Sequence, residues 1–116
     1  MANKISVGII GGAGYTGGEL IRLLLHHPTA KIKFVQSTSN AGNLVSKVHA
    51  DLTGETGLIF TAKSTEVIDV LFLCLGHGNA RHYLSENAID SHVKVIDLSQ
   101  DFRIEDSNTL SQRHFI

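Results

Sequence analysis

Only one cysteine, Cys74, occurs among the 116 residues, so the chain can form no internal disulfide and no cysteine-rich metal site. His26, His27, His49, His82, His92 and His114 show no spacing that, with one cysteine, would make a zinc site. Long apolar runs are missing too. Each is cut short by glycine, charge or a polar residue, so no membrane span is expected. The N-terminus lacks a signal-peptide profile, because Lys4 is followed by only a few apolar residues before glycines begin. Neither sign of charge dominates: ten basic and eleven acidic side chains leave a formal charge of −1. With no basic block, nothing draws the chain to nucleic acid or a membrane surface. There are no internal repeats and no low-complexity stretches. These absences predict one compact domain of a cytoplasmic protein, without metal, nucleic-acid or membrane partners.

What is present centres on residues 5 to 25. An apolar run, Ile5-Ser6-Val7-Gly8-Ile9-Ile10, meets Gly11-Gly12-Ala13-Gly14-Tyr15-Thr16-Gly17, and Gly18-Glu19-Leu20-Ile21-Arg22-Leu23-Leu24-Leu25 follows. This reads as strand, glycine turn and helix. Such a turn sets the unpaired N–H groups and positive end of the helix beside the edge of the strand, where a phosphate can sit. Gly11 suits the tight turn, Gly14 leaves no Cβ before a pyrophosphate, and Gly17 lets helix and strand pack closely. Tyr15 and Thr16 would supply the first N–H groups of the helix. The spacing fits G-x-x-G-x-x-G from Gly11 or G-x-G-x-x-G from Gly12, and its context points to a dinucleotide. A purely structural strand-to-helix turn is the alternative.

Beyond the turn, Leu20, Leu23, Leu24 and His27 recur at helical spacing, widened by Ile21 and Leu25, and predict a face buried on a sheet. Pro28 ends the helix. Lys31-Ile32-Lys33-Phe34-Val35-Gln36 alternates and reads as a second strand, parallel to the first by a right-handed crossover. Ser37-Thr38-Ser39-Asn40-Ala41-Gly42 follows, and no acid lies between Glu19 and Asp51. An NAD site carries a carboxylate hereabouts for the ribose 2′-hydroxyl. Hydroxyls in its place favour the 2′-phosphate of NADP, with Ser37 and Ser39 as contacts. A polar loop without a ligand is the bland reading. Residues 43 to 57 read as loop or short irregular helix, and Leu58-Ile59-Phe60 as a candidate short strand. Val70-Leu71-Phe72-Leu73-Cys74-Leu75 is continuously apolar, as a strand buried on both faces would be. Gly76-His77-Gly78 ends it, a helix carrying Ala80, Tyr83, Leu84 and Ala88 is expected from Asn79, and Val93 to Leu98 forms a further strand. The whole is an α/β, doubly wound, mostly parallel sheet with its ligand at the C-terminal edge of the strands. The glycine turn, Ser37 to Ser39, His77 and Ser99 all fall on that edge.

These residues resemble the N-acetyl-gamma-glutamyl-phosphate reductases of arginine biosynthesis, relatives of the aspartate-semialdehyde dehydrogenases. The resemblance rests on residues 11 to 20, on Ser37 to Gly42, on Leu75-Gly76-His77-Gly78 and on Asp97-Leu98-Ser99-Gln100-Asp101-Phe102-Arg103, in order over most of the chain. One departure is Gly76, where the family usually has proline. The resemblance implies a Rossmann-like NADP-binding domain over residues 1–116, and an oxidoreductase that uses NADPH to turn N-acetyl-glutamyl 5-phosphate into the semialdehyde. The family's nucleophile lies in an Asn-Pro-Gly-Cys segment that this sequence does not contain. The chain is therefore expected to hold no catalytic residue, to be inactive by itself, and to belong to a longer homo-oligomeric enzyme. The end at Arg113-His114-Phe115-Ile116 reads as a chain cut short. Cys74, inside an apolar run, reads as a core residue whose thiol burial would silence. His77 is either a nicotinamide or pyrophosphate contact or a loop histidine. Arg103 is either a substrate-phosphate contact or a surface partner of Asp101 or Asp106. Asp97 is read as bracing the turn after its strand. A stand-alone nucleotide-sensing domain and a piece of an aspartate-semialdehyde dehydrogenase are the competing assignments.

Overall fold

The computed structural model describes residues 4–63, 67–76 and 79–98. Strand β1 (Ile5–Ile10) leads through the glycine turn into helix α1 (Tyr15–Leu25), and β2 (Ala30–Gln36) follows. A short helix α2 (Val45–Val48) and one 3₁₀ turn (Ala50–Leu52) precede β3 (Val70–Leu73), α3 (Asn79–Glu86) and β4 (Lys94–Asp97). The four strands form one sheet in the order β2-β1-β3-β4, and every pairing is parallel. The chain starts in the middle of the sheet, winds to one side and crosses back to the other. This reversal opens a crevice at the C-terminal ends of β1 and β3.

Period-two alternation divides β1 between two cores. Val7 and Ile9 join Leu20 and Ile21 of α1 on one face, together with Val35, Val45, Leu52 and Phe60. Ile10 joins Leu71, Leu73 and Phe34 on the other, beneath Ala80 of α3. The sheet is thus wound on both faces, as the strand–helix alternation predicts. Fully burying one such aliphatic side chain stabilises the fold by about 1.5–3 kcal/mol, so these clusters supply the main driving force.

Three local expectations change. In β2 the pairing shifts between Val7↔Ile32 and Gly8↔Phe34, leaving Lys33 as an extra residue. This bulge turns Phe34 to the face opposite Ile32. The Phe34 ring then lies over Gly8, where a Cβ would come within 2.4 Å of it. Along α1 the buried residues are Gly17, Gly18, Leu20 and Ile21. Leu23 is 70% exposed and His27 lies beyond the end of the helix, so the inward stripe is rotated from the predicted one. Residues 58 to 60 form no regular strand. Ile59 makes an isolated antiparallel bridge to Leu44 and Thr61 a parallel one to Gln36. The segment divides its backbone bonds between two neighbours, so neither ladder propagates. No helix among the described residues is long and apolar enough to cross a membrane.

Candidate dinucleotide site

The glycine turn is shaped by what surrounds each residue. Gly11 has φ +82°, and a Cβ there would lie 2.7 Å from the Cys74 carbonyl oxygen. Both the left-handed backbone and the contact with the end of β3 require glycine. The N–H groups of Gly11 and Gly12 donate to the Gln36 carbonyl at 2.9 and 3.1 Å, which pins the turn to the end of β2. At Gly17 a Cβ would meet the Cα and carbonyl oxygen of Gly12 at 2.7 Å, so the first turn of α1 sits directly on the glycine turn.

Gly14 differs. Its backbone is ordinary and extended, with φ −82° and ψ 179°, and a Cβ there would meet nothing within 4 Å among the described residues. It caps α1 without a side-chain hydrogen bond, and the first turn of α1 carries no acid. No side chain at the cap therefore competes for the N–H donors at the start of this helix. Tyr15, 83% exposed, and Thr16 present that start to solvent.

A cleft of about 370 Å³ lies where β1, β2 and β3 end, lined by Ile10, Gly11, Gln36, Ser37, Thr38, Ser39 and Leu75. No carboxylate is among these residues. Ser37 is buried, and its N–H donates to the Thr61 carbonyl at 2.9 Å. The Asn40 side-chain amide donates to the hydroxyls of both Ser37 and Ser39, each at 3.3 Å. These bonds tie the loop after β2 to Thr61 and within itself. Residues 6–113 match the family described as semialdehyde dehydrogenase, NAD binding domain. The chain belongs to this family. Two similar proteins carry the name N-acetyl-gamma-glutamyl-phosphate reductase. The one from Christiangramia forsetii is 54% identical over 101 residues, which cover 87% of this chain and 32% of its own. That from Flavobacterium johnsoniae is 49% identical over 112 residues, 97% of this chain and 34% of its own. The chain thus spans about a third of the length of these curated relatives. Among solved structures, aspartate semialdehyde dehydrogenase with NADP from Candida albicans aligns at a TM-score of 0.67, covering 89% of this chain and 32% of that one at 19% identity. This last likeness shows a shared fold.

Within this NAD-binding domain, Gly11, Ser37 and Ser39 are brought into one cleft, while Gly14, Tyr15, Thr16 and Gly17 form the adjoining start of α1. His77, Ser99 and Arg103 lie outside the described residues. Cys74 sits one residue past β3, half-buried, with its thiol pushed up to about 12 by burial and, to a lesser degree, by the negative charge of Asp97. Such a thiol is a packing residue at neutral pH. Among the described residues, no group of three or more His, Cys, Asp or Glu could hold a metal ion.

Three packing roles near the turn escaped the sequence reading, which names Gly12 only as the start of one glycine spacing. A Cβ on Gly12 would strike Val35 Cγ1 at 2.1 Å, and one on Gly18 would strike the His49 ring at 2.6 Å. His49 itself reaches the Gly12 carbonyl at 2.7 Å. A signal for Gly18 was available, because each glycine inside a helix costs about 1 kcal/mol against alanine. The Gly17-Gly18 doublet therefore needs a packing reason. Nothing in the sequence pairs His49 with a turn 37 residues away.

Proposed function

We propose that this domain binds NADPH and forms the cofactor-binding part of an N-acetyl-gamma-glutamyl-phosphate reductase. The observation that carries the proposal is the meeting of the glycine turn with Ser37 and Ser39 in a cleft that, among the described residues, no carboxylate lines. An ionised acid at this place would repel a 2′-phosphate, whereas two hydroxyls can hydrogen-bond to it. Gly14, required by neither its backbone nor a neighbour, fits a role of leaving room for pyrophosphate against the start of α1. NADPH, when bound, supplies a hydride. The chain's own residues hold it: Gly11 and Gly17 shape the turn, Tyr15 and Thr16 offer backbone N–H groups, and Ser37 and Ser39 meet the ribose phosphate.

The names of relatives about half identical in sequence support the acyl-phosphate substrate. In the whole enzyme, this reading gives Arg103 the substrate phosphate and His77 and Ser99 the cofactor. It places nucleophilic catalysis and self-association outside residues 1–116, with Cys74 too basic a thiol to replace the nucleophile. A single cysteine agrees with a cytoplasmic place of work. Calorimetric titration of the chain with NADPH and with NADH tests the proposal. Micromolar binding of NADPH, with NADH at least about tenfold weaker, is the expected result. Equal affinities would overturn the assignment of the two serines, and binding of neither would overturn the cofactor assignment.

A further inference from the structure

The glycine turn is braced from a second direction. His49 stands at the junction between α2 and the 3₁₀ turn, and its Nε2 lies 2.7 Å from the Gly12 carbonyl oxygen. A carbonyl only accepts, so His49 donates from Nε2. The residue is held at several points. Its backbone N–H donates to Val45 O and its carbonyl accepts from Leu52 N–H, both at 2.9 Å. It meets the buried Phe60 edge-on, with ring centroids 6.3 Å apart. The following residues are tied back to α1 by a hydrogen bond of 2.8 Å from Arg22 Nε to Asp51 Oδ2. Gly18 makes room for this imidazole: a Cβ at residue 18 would lie 2.6 Å from Nδ1 and 2.7 Å from Cε1 of His49.

We propose that His49 is a positioning residue for the phosphate-binding turn, an inference that rests on reading this turn as a pyrophosphate cradle. The reason lies in the planarity of the peptide group. The peptide joining Gly11 to Gly12 is fixed through its N–H, which donates to the Gln36 carbonyl at 3.1 Å. The next peptide, joining Gly12 to Ala13, is fixed through its carbonyl by His49. In a trans peptide the N–H points opposite to the carbonyl, so His49 aims the Ala13 N–H away from itself and sets the path into Gly14. Glycine at residue 12 has the widest choice of dihedral angles, and these two hydrogen bonds remove that choice before a ligand arrives. The cost of ordering the turn then does not fall on binding.

NADPH and 2′-AMP are titrated against the chain and against His49→Leu, His49→Gln and Gly18→Ala. 2′-AMP shares the ribose phosphate but lacks the pyrophosphate, so it reads the serine loop without the turn. His49→Leu should weaken NADPH about tenfold, the worth of one hydrogen bond, and Gly18→Ala should do the same by displacing the ring. His49→Gln, which keeps an N–H donor, should stay within about threefold of the unsubstituted chain. 2′-AMP should bind all four proteins alike. Unchanged NADPH affinity in both His49→Leu and Gly18→Ala would overturn the role of His49. So would parallel losses for NADPH and 2′-AMP, which mark general loosening. Gly18→Ala keeps every polar group and decides the matter if His49→Leu fails to fold. Failure of the unsubstituted chain to bind NADPH would bring down the cofactor reading and this inference with it.

Discussion

Three glycines of the turn, alike in sequence, answer to different demands. Gly11 satisfies a left-handed backbone pressed against the end of β3. Gly17 satisfies backbone-to-backbone contact, and Gly14 answers to no neighbour among the described residues. Alanine should separate them. At Gly17 the added methyl would lie 2.7 Å from backbone atoms of Gly12, which cannot rotate aside as a side-chain tip could. Gly17→Ala should destabilise the domain by about 1–3 kcal/mol, the usual cost of overpacking, and lower the thermal midpoint by several degrees. Gly14→Ala should leave that midpoint nearly in place, because the lower entropy of the unfolded chain offsets the poorer standing of alanine as a helix N-cap, while weakening NADPH. Thermal melts of both variants beside an NADPH titration of Gly14→Ala provide the check. Full NADPH affinity in Gly14→Ala would mean that the empty space beside it is not where the ligand lies.

Elements were legible where one pattern decided them and illegible where two patterns met. β1, the glycine turn and α1 follow from a strand run, three spaced glycines and a helical run, and the structure places them at residues 5 to 25. The alternation of residues 31 to 36 foretold β2 but concealed its bulge at Lys33, because the second face has a use for Phe34 only once Gly8 lies opposite. Residues 58 to 60 misled because local apolarity says nothing about which neighbour takes the backbone bonds. In the site, Gly11 and the serine loop were readable from spacing, while His49 depended on a tertiary approach. The tie that holds its segment to α1 is electrostatic. Arg22 bonds to both Glu19 and Asp51, and the guanidinium holds the Asp51 carboxyl below its ordinary value. A carboxyl lowered by folding contributes stability that is present above its unfolded pKa and lost as pH falls through its lower folded one. Asp51→Asn should therefore melt slightly below the unsubstituted chain at pH 7, and the gap should close under acid conditions below both values. The effect should be small, since both partners are exposed and screened by salt. A gap that persists undiminished in acid would show that Asp51 acts through something other than its charge.

On the scale of the whole domain, the two core clusters share one sheet, so the end of β3 reports on both. Leu73 belongs to the cluster beneath α3, and Cys74, the next residue, packs against the cluster beneath α1. The Cys74 N–H donates to Ile10 O at 2.8 Å, and its carbonyl oxygen blocks any side chain at Gly11. Exposing this half-buried thiol fully means opening its packing against the cluster beneath α1, next to the edge where NADPH is proposed to bind. With its thiol pushed up to about 12, Cys74 is almost wholly protonated at pH 8, whereas an ordinary thiol near 8.5 is already about a quarter thiolate. Labelling by a thiol reagent at pH 8 should run orders of magnitude slower than in a denatured control. Because reaction then waits on opening, a ligand that binds the closed domain should slow it further. At about 100 times its dissociation constant, NADPH should do so by about a hundredfold. Adenosine, with neither pyrophosphate nor ribose phosphate, should slow it far less. Rapid labelling in buffer, indifferent to NADPH, would mean that the end of β3 opens independently of the cleft, and that the glycine turn and the third strand do not act as one unit.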